Sequence, residues 1–516
     1  MKKNNLFKAV GIVILAYILL SWIVPIVYSI GGFKGDVSNQ IGFISIISVI
    51  LETFTGFGAI ILYVLLVGAF YGVLKATGAY DKLMDFLTEK ATGKEKLSLI
   101  LVLVSMVIIS SITGLDLGLL VVFPLLIGFI VKLGYDKFVA LSATAGATLV
   151  GMYGATYAGT LYGANNTVLS LEKNLMWPRL VLLVCGLAAL IVFVLKYAKT
   201  NKLGGVKVKK EIKVSAKKSD TKKVSKTTKK SSKKSAVKTV KKEKKDKKER
   251  SGLPALIVMC NLLLVVALGT TAWGNIFKKN WFETAHSSWT GVTVGKFKIL
   301  DKLFGGVDAF GSWLTPTRFQ TYSLLLVIAM IAIIIIYRTK FEDAFEGFVD
   351  GLKSFVVPAI LTILACSVFV FVYYNPFISV VTNALLTATK SFNLLTASLY
   401  TVINSFFYVD YYYLSYAVLY GIPQTFSDKA VLEVFSVMFV SLYSLVMLIA
   451  PTSVILLVSL SIADVKYTDW FKFIWKLVLS LLIASLAVLM IMNGTLVVGI
   501  IAAVIAVVLF LVLNFA

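Results

Sequence analysis

The chain has 516 residues, of which 58% are hydrophobic and only 15% are charged. Many apolar runs exceed the roughly 20 residues that a helix needs to span a bilayer. This composition excludes a soluble globular protein and predicts an all-α polytopic membrane protein. The net charge of +25 is unevenly spread, since residues 199–250 hold 23 basic and 5 acidic side chains, or +18 of the total.

The N-terminus begins with Met1-Lys2-Lys3, and an apolar run continues to about Ile30. This run is too long for a signal peptide and lacks a small-residue cleavage site, so we predict an uncleaved first helix. Its basic start predicts an N-terminus in the cytoplasm by the positive-inside rule. Lysine greatly outnumbers arginine, which is typical of bacteria with AT-rich genomes, so we expect the cell membrane of a bacterium.

An acidic residue, Asp116, lies in the middle of strongly apolar sequence. A carboxylate at membrane depth is costly and usually marks a site or an ion path. The apolar runs 97–112 and 117–134 around it are flanked by lysines on both sides, which predicts a reentrant hairpin with Asp116 near its tip. The next span, 139–167, is rich in Gly, Ala, Thr and Asn, which predicts a broken helix beside a cavity.

The second half of the chain repeats this arrangement. Asp410 stands in another polar break and predicts a second reentrant hairpin over about 394–421. The break at Pro451–Ser453 lies about 40 residues beyond Asp410, and the break at Gly154–Thr156 lies about as far beyond Asp116. Matched interrupted segments in two halves are typical of secondary transporters built from inverted repeats with broken transmembrane helices.

Three regions follow from these patterns. Residues 1–198 form a first transmembrane repeat with an N-terminal helix, and 253–516 form a second repeat with an extra C-terminal helix. The Lys-rich linker 199–252 has no aromatic residue, so we expect it to be disordered in the cytoplasm, with anionic lipids as candidate partners. Residues 341–352 alternate acids and aromatics, which predicts an amphipathic surface helix. Residues 42–74 are compatible with one long or two short membrane helices. The number of spans at 376–391 is open as well, so the total span count is open by one or two.

Four stretches resemble one family, the YfcC-like C4-dicarboxylate anaerobic carriers within the ion transporter superfamily. They are Gly68–Ala79, Phe123–Leu126 with Leu133–Asp136, Phe345–Gly351, and Ala450–Ser453 running to Ala463 and on through Tyr467–Phe473. The resemblance implies two reentrant hairpins that meet at a central site, and the carriage of small carboxylates or amino acids by ion coupling or exchange. The chain departs from the family at both tips. Asp116 stands where paired acids are expected, and Asp410-Tyr411-Tyr412-Tyr413 stands where a Ser-Gly-rich tip is expected.

The predicted site combines the hairpin tips and the breaks. Hydroxyls, amides and helix N-termini would bind a substrate carboxylate, while Asp116 and Asp410 would bind a coupling cation or an amino group. Because both charged candidates are acidic, we expect an amino acid such as arginine or ornithine, with a C4-dicarboxylate or short-chain carboxylate as the alternative. The candidate residues are Ser111, Thr113, Gly114, Asp116, Gly154, Thr156, Asn165, Asn166, Asn404, Ser405, Asp410, Thr452 and Ser453.

Other classes of function fit less well. One histidine in a polar loop and three cysteines in apolar spans offer neither a metal cluster nor a nucleophile–base pair, so we expect no enzyme. A channel would need a selectivity filter, and none stands out. A scaffold role would depend on the linker alone. We therefore expect a secondary transporter in the lipid bilayer, without a cofactor, with Na+ or H+ as the candidate coupling ion and a homodimer as the candidate assembly.

Overall fold

The computed structural model describes residues 3–31, 40–115, 117–171, 175–201, 251–304, 307–389 and 391–515. Asp116 and most of the predicted linker 199–252 lie outside these residues. Helices make up most of the described part. Its strands are the short antiparallel pair β1 (Thr293–Val294) and β2 (Phe297–Lys298).

The described residues of the first half contain nine α-helices. They are α1 (Lys3–Gly31), α2 (Phe43–Ala76), α3 (Ala79–Ala91), α4 (Glu95–Thr113), α5 (Phe123–Lys132), α6 (Lys137–Leu141), α7 (Ala147–Tyr153), α8 (Ala164–Leu169) and α9 (Met176–Thr200). A 3-10 helix at Leu117–Val122 and π-helical turns at Ser142–Gly146 and Gly159–Gly163 complete this half.

The second half contains the remaining described helices. They are α10 (Leu253–Thr270), α11 (Trp273–Phe277), α12 (Trp281–Thr290), α13 (Ile299–Phe304), α14 (Arg318–Tyr337), α15 (Phe341–Tyr374), α16 (Phe377–Leu386), α17 (Leu394–Phe407), α18 (Tyr411–Ala417), α19 (Ile422–Thr425), α20 (Lys429–Met447), α21 (Val454–Ala463), α22 (Tyr467–Met492) and α23 (Leu496–Phe515). A 3-10 turn covers Leu419–Gly421.

Ten helices of the described chain are long and apolar enough to cross a membrane: α1, α2, α4, α9, α10, α14, α15, α20, α22 and α23. The prediction of an all-α polytopic membrane protein is therefore confirmed. Of the segment 42–74, residues 43–74 belong to the single helix α2, and Gly42 is its N-cap. Residues 376–391 contain the short helix α16, whose ten residues reach only about 15 Å, half the thickness of a bilayer core.

The two halves share one order of elements. Each has a 34-residue helix (α2 or α15), a short helix (α3 or α16), a helical pair, a broken helix and a long closing helix (α9 or α22). The repeat of pattern expected from the sequence therefore exists as a repeat of helices. Its inversion across the membrane and the division into three domains stay predictions.

Helices α2 and α15 make the most extensive helix contact of the described chain. Their glycines face each other: a Cβ atom on Gly72 would clash with the carbonyl oxygen of Gly347, and one on Gly68 would lie 2.6 Å from that of Gly351. Small residues spaced by four let two helix backbones approach closely. An amphipathic helix over 341–352 is present as the first part of α15, with Phe341 and Phe345 exposed on one side and the glycine face packed against α2.

Each predicted hairpin returns close to its starting point. At the end of α5, Lys132 Nζ lies 2.7 Å from Asp85 Oδ1 in α3, the helix that precedes α4. In the second predicted hairpin, Phe392 precedes α17 and Phe426 follows α19, and the centroids of their rings lie 5.8 Å apart. The chain therefore reverses direction at each tip, while the reentrant placement of both pairs in a membrane stays a prediction.

Both predicted breaks interrupt their helices. Helix α7 ends at Tyr153 and α20 ends at Met447, and each is followed by non-helical backbone before the next turn. A Cβ atom on Gly154 would clash with the backbone of Leu183 in α9, so the first break can pack tightly there. Pro451 has no N–H to continue a helix at the second break. The broken helices expected from the sequence are therefore present.

Candidate functional site

One small enclosed cavity is lined by both hairpin tips and both broken helices. Its lining residues are Leu117, Leu149, Met152, Val409, Tyr443, Met447, Ser453, Val454 and Ile455. Its volume is about 10 Å³, close to the least that holds a water molecule. The two halves thus meet at a common centre, where this cavity has room for about one water molecule.

The first break is hydrogen-bonded to the end of α4. Thr156 N donates to the Ser111 carbonyl oxygen at 2.8 Å, and Ser111 Oγ donates to the Gly154 carbonyl oxygen at 2.9 Å. Thr160 Oγ1 donates to the Gly114 carbonyl oxygen at 3.1 Å. Four predicted site residues, Ser111, Gly114, Gly154 and Thr156, are therefore brought together, and the hairpin satisfies backbone groups that the break exposes.

The second break is bonded to its own hairpin in the same way. Thr452 Oγ1 donates to the carbonyl oxygen of Phe406 at the end of α17, at 2.5 Å. Ser453 caps α21, with its Oγ accepting a hydrogen bond from Leu456 N at 3.4 Å. Each hairpin is therefore held to the break that follows it in the chain.

Asn165 connects the two halves. Its Nδ2 donates to the Ser436 carbonyl oxygen in α20 at 2.9 Å, and its Oδ1 accepts from Tyr411 Oη in α18 at 2.7 Å. The side chain is fully buried, so both hydrogen bonds are shielded from water. Asn165 therefore fixes the first broken helix against the second hairpin.

Asp410 forms a buried ion pair that the sequence analysis did not foresee. Its Oδ2 lies 2.5 Å from Nη2 of Arg318, with side chains only 1% and 4% exposed. Its Oδ1 accepts from Tyr412 N at 2.8 Å and so caps α18. The expectation that the charged groups here would be acidic only is therefore wrong, because α14 places a guanidinium against this carboxylate.

A second buried arginine stands beside the first break. Arg179 is 2% exposed, its guanidinium stacks on the ring of Tyr162 with 3.1 Å to the ring centroid, and Nη1 donates to the Thr156 carbonyl oxygen at 3.3 Å. A signal was present in the sequence, since arginines make up only four of the 51 Lys and Arg residues. An Arg at the start of an apolar span, in a chain that otherwise uses Lys, indicates a need for a guanidinium.

Both arginines lie at helix N-termini. Arg179 is in the first turn of α9 and Arg318 begins α14, and neither first turn contains an acid. The positive end of the helix dipole disfavours a cation, and burial of a guanidinium is costly as well. The same combination attracts anions strongly. Among the described residues Arg318 is balanced by Asp410, so the net positive charge of the site comes from Arg179 and suits a ligand with negative charge.

The remaining predicted residues divide into two groups. Thr113 Oγ1 donates to the Ile109 carbonyl oxygen within α4, and Asn404 Nδ2 donates to the Tyr400 carbonyl oxygen in α17 and to Thr382 Oγ1 in α16. Ser405 Oγ and Asn166 Oδ1 are buried without a hydrogen-bond partner among the described residues. Asp116 lies outside those residues, so its predicted role stays a prediction.

An open cavity of about 510 Å³ adjoins the ion pair. It is lined by Gly159, Thr160, Gly163, Ala164, Asn166, Thr167, Leu171, Ser312, Leu314, Thr315, Tyr412 and Tyr416. The Leu314 carbonyl oxygen accepts from Arg318 Nη1 at 3.3 Å, and Tyr412 N bonds to Asp410. Its volume is in the range of small-molecule sites, and it provides a polar space beside the arginine.

Comparison with known proteins gives one family. Residues 29–409 and 430–494 match the sequence model of the family described as C4-dicarboxylate anaerobic carrier. No curated protein matches the chain. The unmatched residues 410–429 begin at Asp410, and the C-terminal helix α23 also falls outside the match. The matched regions cover most of a chain with ten candidate spans, and the protein therefore belongs to the C4-dicarboxylate anaerobic carrier family of membrane transporters.

Proposed function

We propose that the protein is a secondary active carrier of a four-carbon dicarboxylate, or a closely similar carboxylate, in the cell membrane of a bacterium with its N-terminus in the cytoplasm. The observation that carries this proposal is a pair of buried arginines. Arg179 comes from the first half of the chain and Arg318 from the second half. A substrate with two carboxylates can be held by two guanidiniums through strong, directional hydrogen bonds.

In this proposal, a substrate carboxylate replaces Asp410 on Arg318. One carboxylate exchanges for another, so the buried guanidinium never loses its counter-charge and avoids the large penalty for an isolated charge. Asp410 is released toward the adjoining open cavity, from which the substrate arrives. The second carboxylate is bound by Arg179 and by polar groups of the first break.

Substrate binding requires the centre to open, since the enclosed cavity has room for about one water molecule. Separation of the two hairpin tips would enlarge it, and alternation between openings toward the two membrane faces would complete transport. Such a motion must either break the hydrogen bond between Tyr411 and Asn165 or move both residues together. Ser405 Oγ and Asn166 Oδ1 are candidate oxygen ligands for a coupling Na+, with H+ coupling or exchange as the alternatives.

Exchange of amino acids such as arginine and ornithine is a second candidate function. It is favoured by residues 410–429, which the family match omits and which begin with the acidic residue Asp410 at the tip of the second hairpin. A cationic substrate could replace the Arg318 guanidinium on Asp410. It ranks second because Asp410 is already neutralised and because Arg179 would repel a cation.

Counterflow in proteoliposomes tests both candidates. Vesicles loaded with unlabelled succinate, arginine, ornithine or a neutral amino acid receive the matching labelled compound, with and without Na+ and pH gradients. We expect saturable succinate uptake, and an increase in KM of about tenfold or more in Arg179→Gln, because a charged hydrogen bond contributes about 1.5–3 kcal/mol.

Arg338→Gln is the matched control, since Arg338 is exposed at the far end of α14 and should leave KM unchanged. Arginine–ornithine counterflow with inert succinate would replace the dicarboxylate proposal by the amino acid proposal. Non-saturable flux would contradict both and indicate a channel.

A further inference from the structure

A groove of about 510 Å³ lies far from the central site, between α9, α22 and the C-terminal end of α23. Its polar lining includes Lys196, Thr200, Lys472, Lys476 and Asn514. Lysines cluster at this end of the molecule, so the positive-inside rule assigns the groove to the cytoplasmic face.

The groove carries an excess of positive charge. Three lysines line it, and Asp469 is the acid among its lining residues. Lys476 Nζ donates to the Leu513 carbonyl oxygen at 2.9 Å, in the last turn of α23. This bond satisfies a carbonyl at the negative end of a helix and holds one ammonium group at the edge of the groove.

An aromatic wall separates this basic rim from the protein interior. The ring of Phe473 has centroid distances of 4.7 Å to Tyr197, 4.9 Å to Phe193 and 5.1 Å to Phe138. Next to it, α23 exposes apolar side chains such as Val508 and Leu511 along its length. A ligand in the groove would therefore meet a cationic rim at one end and continuous apolar surface at the other.

We propose that this groove binds the headgroup of an anionic phospholipid from the cytoplasmic leaflet, with its acyl chains along α23. Basic pockets between transmembrane helices on that face suit phosphate headgroups, and the adjoining apolar surface suits a lipid better than a soluble phosphate. Helix α23 lies beyond the family match, which ends at residue 494. The site is thus a feature of this chain's additional helix, and although Thr200 lines it, its lysines lie outside the linker 199–252.

Native mass spectrometry of the full chain in mild detergent tests this proposal, with dioleoylphosphatidylglycerol and dioleoylphosphatidylcholine as probes. The double variant Lys472→Gln with Lys476→Gln should weaken phosphatidylglycerol binding about tenfold or more, because each lysine near an anionic headgroup contributes about fivefold. Phosphatidylcholine binding should not change. Lys196→Gln with Lys472→Gln should show the same loss while it keeps the contact between Lys476 and Leu513.

The control is Lys340→Gln with Lys353→Gln, two exposed lysines of α15 and its N-cap on the same predicted face. An equal loss in this control would overturn the proposal in favour of general surface attraction. Unchanged phosphatidylglycerol binding in both groove variants would overturn it directly. Full competition by inorganic phosphate would reassign the groove to a soluble anion.

Discussion

Arg318→Gln is expected to abolish carboxylate uptake and to destabilise the protein by about 3–5 kcal/mol, because it leaves the Asp410 carboxylate buried without its counter-charge. The pair is nearly inaccessible to water, with the two charged atoms 2.5 Å apart. We would measure succinate uptake in proteoliposomes and thermal unfolding in detergent. Arg338→Gln removes the same charge at the exposed end of the same helix and should leave both measurements unchanged.

The double variant Arg318→Gln with Asp410→Asn separates folding from binding. It removes both charges, so most of the stability lost in the single variant should return. Uptake should stay absent, because no guanidinium remains to bind the substrate. Full uptake in the double variant would mean that the ion pair is only structural, and the role proposed for Arg318 in binding would then be wrong.

Gly72→Ala is expected to destabilise the crossing of α2 and α15 severely, although it adds one methyl group. The new Cβ would clash with the Gly347 carbonyl oxygen and lie 2.7 Å from Cα of Gly351. Both obstacles are backbone atoms, so the helices must move apart along their whole contact. Size-exclusion profiles and melting temperatures of the detergent-solubilised protein should show loss of the folded, monodisperse species.

Gly58→Ala provides a control of opposite sign in the same helix. A Cβ atom on Gly58 meets nothing within 4 Å, and alanine favours a helix over glycine by about 0.5–1 kcal/mol. The melting temperature should therefore hold or rise slightly. Equal behaviour of Gly72→Ala and Gly58→Ala would mean that the close approach of α2 and α15 does not limit stability.

Local features of the sequence were sufficient to predict most of the helices and both breaks. Apolar length predicted the spanning helices, and Gly154 and Pro451 predicted the breaks, because hydropathy and backbone freedom act over a few residues. Three predicted residues, Ser111, Gly154 and Thr156, form one hydrogen-bonded cluster, and Gly114 bonds to the nearby Thr160. The family resemblance also came from short stretches, and the match over most of the chain confirms it.

The errors came from contacts that no short stretch contains. Residues 341–352 were expected to form a surface helix because acids and aromatics alternate there, whereas the packing of Gly347 and Gly351 on a glycine face of α2, about 280 residues earlier in the chain, was not expected. Arg318 was not expected at the site because it meets Asp410 across 92 residues of chain.

The sequence by itself therefore determined the class of protein, the positions of the helices and breaks, and the family. Only the tertiary structure decided the charge of the site, by adding Arg179 and Arg318 to a set that had looked purely acidic. It also decided that Asn165 and Tyr411, 246 residues apart, hold the two halves together. The physical reason is that hydropathy is a property of each segment, whereas an ion pair or a buried hydrogen bond exists only when two distant segments pack together.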